Sequence, residues 1–264
     1  MAFDINNFVI DRIVRGVALS QKDDSVLFSI NQIQNASLNC ASESTDAVDA
    51  MGTPIATFYR AKSAEFSAEN ALFDMNLMAT QLGTSKKVAS TASTIVVPAM
   101  ESFTVAEGLS YTLKHKPVAA PAEIYTINGD STFGVKYVNE TSASETGFAY
   151  DEDTYTLTLP TAVKAGDEMF VMYEYESEKA VEVVNSAKNF PVGCKFVMEV
   201  LGCNVCDQTN LIYAYVIFNN AKLSPDFDWS IATDGSHPFS MRAQQDYCDK
   251  EKRLFSIIIP GDQE

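Results

Sequence analysis

The sequence predicts a mainly β protein with one helix, interrupted by a second and smaller β module. Three observations carry this expectation. Short runs rich in β-branched and aromatic residues recur along most of the 264 residues. Only one segment holds an apolar stripe at helical spacing. Between residues 101 and 182 the strand-like runs return about every 8–12 residues, separated by turn signals, the texture of a small antiparallel sandwich.

Residues 8–19 read as a strand because their apolar positions are mostly Val and Ile, and residues 26–30 return against them after the polar turn at 21–24. The stretch from Asn35 to Pro54 is dominated by Ser, Thr, Asp, Asn and Gly. It is expected to be a loop, and loops beyond about 12–15 residues are usually functional. Residues 55–60 and 63–66 read as the next strands. The helix is expected over 67–83. Ser67 suits its N-cap, Glu69 its first turn and Gly83 its C′ position, while Leu72, Met75, Ala79 and Leu82 form a stripe that Phe73 and Leu77 widen. Residues 94–97 form a short strand closed by Pro98.

In the second module, strands are expected at 109–113, 122–127, 134–138, 154–159 and 169–175, with turns at 128–130 and 150–154. After residue 185 the first texture resumes, with strands at 194–201, 211–218, 227–231, 238–243 and 254–259. The expected division is therefore 1–100 and 184–264 as one domain, with 101–183 inserted into it.

Thirty-five Asp and Glu against nineteen Lys and Arg give a formal charge of −16. That balance excludes the usual nucleic-acid clamp, which needs basic side chains to displace counterions from phosphate, and it disfavours docking on an anionic membrane. The acidity is uneven. Residues 101–182 hold fifteen acidic and five basic residues, leaving a net charge of only −6 for the rest. No basic, apolar leader pattern opens the sequence, and no run approaches the ~20 apolar residues of a membrane-spanning helix.

The search for chemistry returns little. There is no GxSxG, HExxH, Walker A or GxGxxG pattern. Cys203 and Cys206 form a CxxC, for which only Cys194, Cys248 or His237 are available as further zinc ligands. Small apolar side chains beside strands are the simpler reading of these thiols. Asp234, Ser236 and His237 crowd into one turn, too close in sequence for nucleophile–base–orienter geometry. His115 reads as an exposed strand-end residue. Glu174, Glu176 and Glu178 alternate as on one strand face, and 151–153 is an acidic turn. Neither has the register of a calcium loop or of a glycosidase pair. No catalytic residue, metal or cofactor is expected.

Residues 57–73, with the sequence TFYRAKSAEFSAENALF, run into the expected helix and resemble the major tail tube proteins of tailed bacteriophages. Residues 234–248, followed by Phe255-Ser-Ile-Ile-Ile-Pro260, are similar to the end of the same proteins. The resemblance covers about 8–97 and 184–260, whereas 101–182 resembles an immunoglobulin-like module. It implies a tail-tube-like β-sandwich or barrel flanked by one helix, assembling as hexameric rings that stack into a hollow cylinder. Neighbouring subunits would complete a lumen-lining barrel, and a long early loop would reach the adjacent ring. Here that loop is 35–54, with Asn35, Cys40, Asp46, Asp49 and Pro54 as stacking candidates and Leu72, Met75, Ala79 and Leu82 as helix-packing candidates.

The implied partners are further copies of the chain, other tail proteins such as terminator, baseplate and tape measure, and genomic DNA passing without specific binding. The implied location is the virion tail, assembled in the host cytoplasm. Two other readings stand beside it. One is another β-rich virion part (terminator, baseplate or capsid decoration). The other is a binding module whose 101–182 sandwich takes carbohydrate on Tyr125, Tyr137, Tyr150 and Tyr155.

Overall fold

The computed structural model describes residues 7–247 and 250–261. In chain order its strands begin with β1 (Phe8–Ser20), β2 (Val26–Ile30), β3 (Ile33–Val48) and β4 (Pro54–Asn70), followed by the helix α1 (Met75–Gln81). Next come β5 (Lys87–Val88), β6 (Ile95–Thr104), β7 (Ser110–Thr112), β8 (Glu123–Ile127) and β9 (Phe133–Glu140). Then follow β10 (Gly147–Asp151), β11 (Thr156–Thr158), β12 (Glu168–Ser177) and β13 (Val181–Glu182). The last are β14 (Gly193–Asn204), β15 (Asp207–Leu223), β16 (His237–Ala243) and β17 (Ser256–Ile258). The protein is mainly β with one helix, and the chain divides into two compact units, 1–86 with 183–264 and 87–182.

The first unit is one sheet in the order β2-β1-β14-β15-β16-β4-β3, with β17 paired to β15. Its strands alternate as half-buried strands should. Cys194, Phe196, Met198 and Val200 of β14 point inward, as do Ala64, Phe66 and Ala68 of β4. Phe196 is the hub, with its ring centroid 5.9 Å from Phe66, 6.2 Å from Phe28 and 6.4 Å from Phe218. Gly16 of β1 faces it, and a Cβ there would stand 2.7 Å from the Phe196 ring, so only glycine lets the two strands close over this aromatic.

The helix is shorter than the expected 67–83. Ser67 and Glu69 lie in β4, paired with Ser240 and Pro238 of β16, and Asp74 is the N-cap, accepting from the amides of Asn76 (2.9 Å) and Leu77 (2.7 Å). The helix-forming Ala and Glu of 64–69 hide a period of two, because the buried set Ala64, Phe66, Ala68 and Asn70 belongs to a strand. Gly83 does follow the helix, at φ +66°, with its amide donating to the Thr80 carbonyl at 3.2 Å.

Residues 35–54 are not a loop. All but the turn at 49–53 belong to the two strands of a hairpin, β3 against β4. The run 227–231 is not a strand. Its Phe-x-Trp-x-Ile alternation mimics one, but Trp229 stacks on Phe73 at 4.4 Å while Ile231 faces solvent. Pro98 does not end its strand either, since β6 runs through it. β6 is the end strand of its sheet, where a missing N–H leaves no ladder bond unmade.

The second unit is a sheet in the order β6-β12-β8-β9-β10-β11-β7, antiparallel except for the β9–β10 pair, with β13 and β5 pairing separately. Its core holds Ile124, Phe148, Leu157, Leu159, Met169 and Val171. Glu101 is the exception, a carboxylate 4% exposed at an inward position of β6. It accepts from the Tyr111 hydroxyl of β7 (2.6 Å), the Tyr173 hydroxyl of β12 and the amide of Lys114 (3.2 Å). The Tyr173 oxygen in turn accepts from the His115 amide at 3.1 Å. Since β6 and β7 terminate the two ends of the sheet path, this carboxylate fastens its ends together.

Burial pushes the Glu101 carboxyl up, but the hydrogen bonds from Tyr111, Tyr173 and Lys114 outweigh it and hold the group below its ordinary 4.5. Burial and the same carboxylate raise Tyr111 to about 12 and raise Tyr173 as well. A depressed carboxyl stabilises the fold fully above its unfolded value and progressively less as pH falls through the folded one. The second unit is therefore expected to lose stability below pH 4.5, read as faster hydrogen exchange in β6, β7 and β12. Glu101→Gln should flatten that pH dependence and cost about 1–3 kcal/mol at neutral pH. An unchanged acid profile in the variant would show that the carboxylate is not the fastener.

Candidate functional site

The most unusual feature of the first unit is what it leaves uncovered. In β4 the residues from Ala64 onward alternate between core and solvent, but every residue from Pro54 to Lys62 is exposed, and so is every residue of β3 after Leu38. β4 pairs with β16 only between Glu65 and Asn70, so from residue 41 to 62 the two strands pair only with each other. They form a free two-stranded ribbon about 25 Å long at ~3.3 Å per residue. A register shift between Ala41 and Glu43 marks where it leaves the sheet.

Both faces of this ribbon mix polar and apolar side chains. Glu43, Thr45 and Ala47 stand opposite Arg60, Phe58 and Ala56 on one face, and Ser44 and Asp46 stand opposite Tyr59 and Thr57 on the other. Tyr59 is 72% exposed, Phe58 55%, Ile55 71% and Met51, in the turn, 90%. Two-stranded hairpins are at best marginally stable in water, and free edges template pairing with another chain. Apolar side chains on both faces and open ladders on both edges are the features of surfaces on which proteins associate.

The stacking candidates have distinct places here. Asn35 sits at an earlier register shift, at φ +53°, with its side-chain amide donating to Glu69 at 3.3 Å, in the part of β3 below the ribbon. Cys40 is exposed on β3 opposite Ala64, Asp46 is exposed opposite Thr57, and Pro54 opens β4 opposite Val48. Asp49 builds the turn. Its carboxylate accepts from the amides of Met51 (2.8 Å) and Thr53 (2.9 Å), which holds it below the ordinary carboxylate range. Sequence reasoning missed that Val48, Met51, Ile55, Phe58 and Tyr59 are all exposed along one ribbon. The strand at 55–60 was expected, but nothing in its sequence marks it as exposed on both faces.

Of the helix candidates, Ala79 is buried, Met75 and Leu82 are half-buried, and Leu72 precedes the helix and is 60% exposed. Leu77 is the residue that enters the core.

The turn residues at 234–237 do not form a triad. His237 opens β16 and is fully buried, with its Nε2 2.8 Å from Gln81 Oε1 and its Nδ1 accepting from the Asp74 amide at 3.4 Å. Gln81 donates to the Pro238 carbonyl at 3.1 Å, so its oxygen is the end that accepts from His237. The Ser236 hydroxyl donates to Glu69 at 2.8 Å instead. His237 thus ties both ends of α1 to β16. Burial lowers its pKa against the pull of Asp74.

Among the described residues Cys40, Cys194, Cys203 and Cys206 are free thiols, and no cluster of three or more His, Cys, Asp or Glu could hold a metal. Cys248 lies outside the described residues. Burial raises Cys194 to about 11, the behaviour of a core thiol. No described helix is long and apolar enough to cross a membrane. Glu174 and Glu176 share the exposed face of β12, and Glu178 lies beyond that strand's end.

In the second unit, Tyr137 is a core residue, while Tyr150 and Tyr155 pack against that core. The Tyr125 ring lies tilted against Phe133 at 5.5 Å, and its hydroxyl donates to Glu123.

The sequence model described as the YomU/Tube protein family matches residues 8–254. No curated protein matches the chain.

The His237 linkage has a spectroscopic consequence. Trp229, the single tryptophan, stacks on Phe73, and Phe73 stacks on the His237 ring at 5.3 Å. A buried histidine with a lowered pKa stabilises the fold above its unfolded value, 6.5, and that contribution is lost as pH falls. Trp229 fluorescence should therefore change in a transition below pH 6.5, and His237→Gln should remove it. Retention of the transition in the variant would assign it to another group.

Proposed function

The chain belongs to the YomU/Tube protein family, and from that premise we propose that it is the building block of a phage tail tube. In this reading it forms rings that stack into a hollow cylinder through which DNA leaves the virion. Its role is structural, and no catalytic step is assigned to it. The rings are hexameric, the assembly takes place in the host cytoplasm, and the finished tube meets the other tail proteins: terminator, baseplate and tape measure.

The observation that carries this reading is the free ribbon of residues 41–62. A monomer gains nothing from keeping Phe58, Tyr59, Ile55 and Met51 in water, whereas a stack of like subunits buries them repeatedly. The ribbon is the stacking element, and its continuity with the sheet at the Ala41–Ser63 pair fixes its direction. The end strands β2 and β3 of the seven-strand path leave open edges that a ring closes by pairing each with the next subunit. The 101–183 segment is an inserted immunoglobulin-like module, a placement supported by the compact unit 87–182.

Replacing residues 43–60 with a two-residue Asn-Gly turn tests the ribbon. The ladder below it, Ala41 against Ser63, stays intact, so the subunit should fold with its melting temperature nearly unchanged. Negative-stain microscopy should then show single rings but no tubes. The paired substitution Phe58→Asp with Tyr59→Asp should act alike, shifting stability by no more than about 0.5 kcal/mol. Tubes of normal length from either variant would remove the ribbon from stacking.

A further inference from the structure

The second unit carries an exposed surface that the tube reading does not use. On the outer face of the β6-β12-β8-β9 part of its sheet, Met172 stands opposite Met100, and Phe170 stands opposite Ser102 on one side and Tyr125 on the other. Phe133 of β9 completes the cluster, with its ring 4.9 Å from Phe170 and 5.5 Å from Tyr125. Met100 is 66% exposed, Phe133 59% and Met172 50%, and Val96 of β6 extends the apolar surface along the same strand. Single exposed apolar residues need no explanation, but a contiguous band of methionines and aromatics across four strands does.

Carboxylates frame this band at both ends. Glu168 lies beside Phe170 on β12, and Glu174 and Glu176 lie beyond Met172 on the same face. Glu168 accepts from Thr104 (2.7 Å) and Glu176 from Thr94 (3.2 Å). Among the described residues none of the three is in an ion pair. Lys136 on the central strands is already paired with Glu123 at 2.9 Å, while Lys116 and Lys179 line a cavity with Glu176 at the far end. The face is thus an apolar centre whose two ends carry carboxylates outside any ion pair.

We propose that this face docks a protein partner whose own apolar centre is flanked by lysine and arginine. The charge arrangement selects that occupant over the alternatives. A second copy brought face to face about a twofold axis sets the Glu168 end against the Glu174 and Glu176 end, acid on acid. Nucleic acid and anionic lipid meet the same repulsion. A basic-rimmed protein gains on both counts, because its cations meet the three free carboxylates while its centre covers Met100, Met172, Phe170 and Phe133. Methionine supplies an adaptable contact surface, which suits recognition by packing more than by fixed hydrogen bonds.

The test uses the full chain and two synthetic peptides with the same Leu-Trp-Leu centre, one flanked by lysines and one by glutamates. By fluorescence anisotropy at low salt the lysine-flanked peptide is expected to bind at least about tenfold more tightly, with the difference shrinking as salt screens it. Met100→Ser with Met172→Ser should abolish this binding. Glu168→Gln, Glu174→Gln and Glu176→Gln together should weaken it by about tenfold or more. A control that removes exposed charges elsewhere in the unit, Glu107→Gln with Glu145→Gln, should leave it unchanged.

Equal binding of both peptides, no binding of the lysine-flanked one, or equal loss in the control would each overturn the proposal. So would a dimer in sedimentation that Met172→Glu dissolves, because the occupant would then be a second copy.

Discussion

A pair of β-strands bonded only to each other is an incomplete object, and the first unit is organised around one. From residue 41 to 62 each strand satisfies half its backbone ladder internally and turns the other half to solvent, while aromatic side chains stand on both faces. What keeps this ribbon directed is its continuity with the core. β4 is a single strand whose lower half buries Ala64, Phe66 and Ala68 beneath Phe196 and Phe239, and whose upper half buries nothing. The register shift near Ala41 is the place where one strand changes task. Rigid rooting matters because binding by an already ordered element avoids the entropy cost of ordering it at the moment of association.

Each unit also holds one buried titratable side chain that joins elements far apart in sequence. In the first, His237 connects β16 to Asp74 at the start of α1 and Gln81 at its end. In the second, Glu101 connects β6 to Tyr111 on β7 and Tyr173 on β12. The chemistry differs because the partners do. His237 meets a carboxamide oxygen and an amide N–H, which a neutral imidazole satisfies with one donor and one acceptor. Glu101 meets three donors, which only a charged carboxylate satisfies in full. Both arrangements are intolerant of losing a partner, since a buried polar group without one costs about 1–3 kcal/mol.

The parts of the fold legible in the sequence are those where pattern and packing agree. β14 shows its inward set Cys194, Phe196, Met198 and Val200 by plain alternation, and Gly83 marks the helix end through its left-handed backbone. The ribbon was hidden because strands are recognised by a buried face, and β3 has none beyond Leu38, so its Ser, Thr and Asp content reads as loop. The start of the helix was misplaced because Ala and Glu favour helices locally, while tertiary pairing of Ser67 with Ser240 decides for the strand. Glu101 carried a signal of its own. In the alternation Ile95, Ala99, Glu101, Phe103 a carboxylate stands at an inward position, and its hydrogen-bond partners had to be nearby.

The uneven charge acquires a structural meaning once the units are separated. The net charge of −10 within residues 101–182 lies inside the second unit, leaving −6 for the rest of the chain. On the β6-β12 face that acidity frames an apolar band, which is a recognition pattern and not simple solubilisation. In the first unit the exposed cation Arg15 is matched at 2.6 Å by Glu199, which also receives the Tyr215 hydroxyl, so this cation is not left free for phosphate. A surface that lets DNA slide needs few unpaired cations more than it needs many anions, because each free cation is a site of counterion release. Under the proposed tube function, pairing Arg15 with Glu199 removes one such site, and it does so without drawing on the acidity of the second unit.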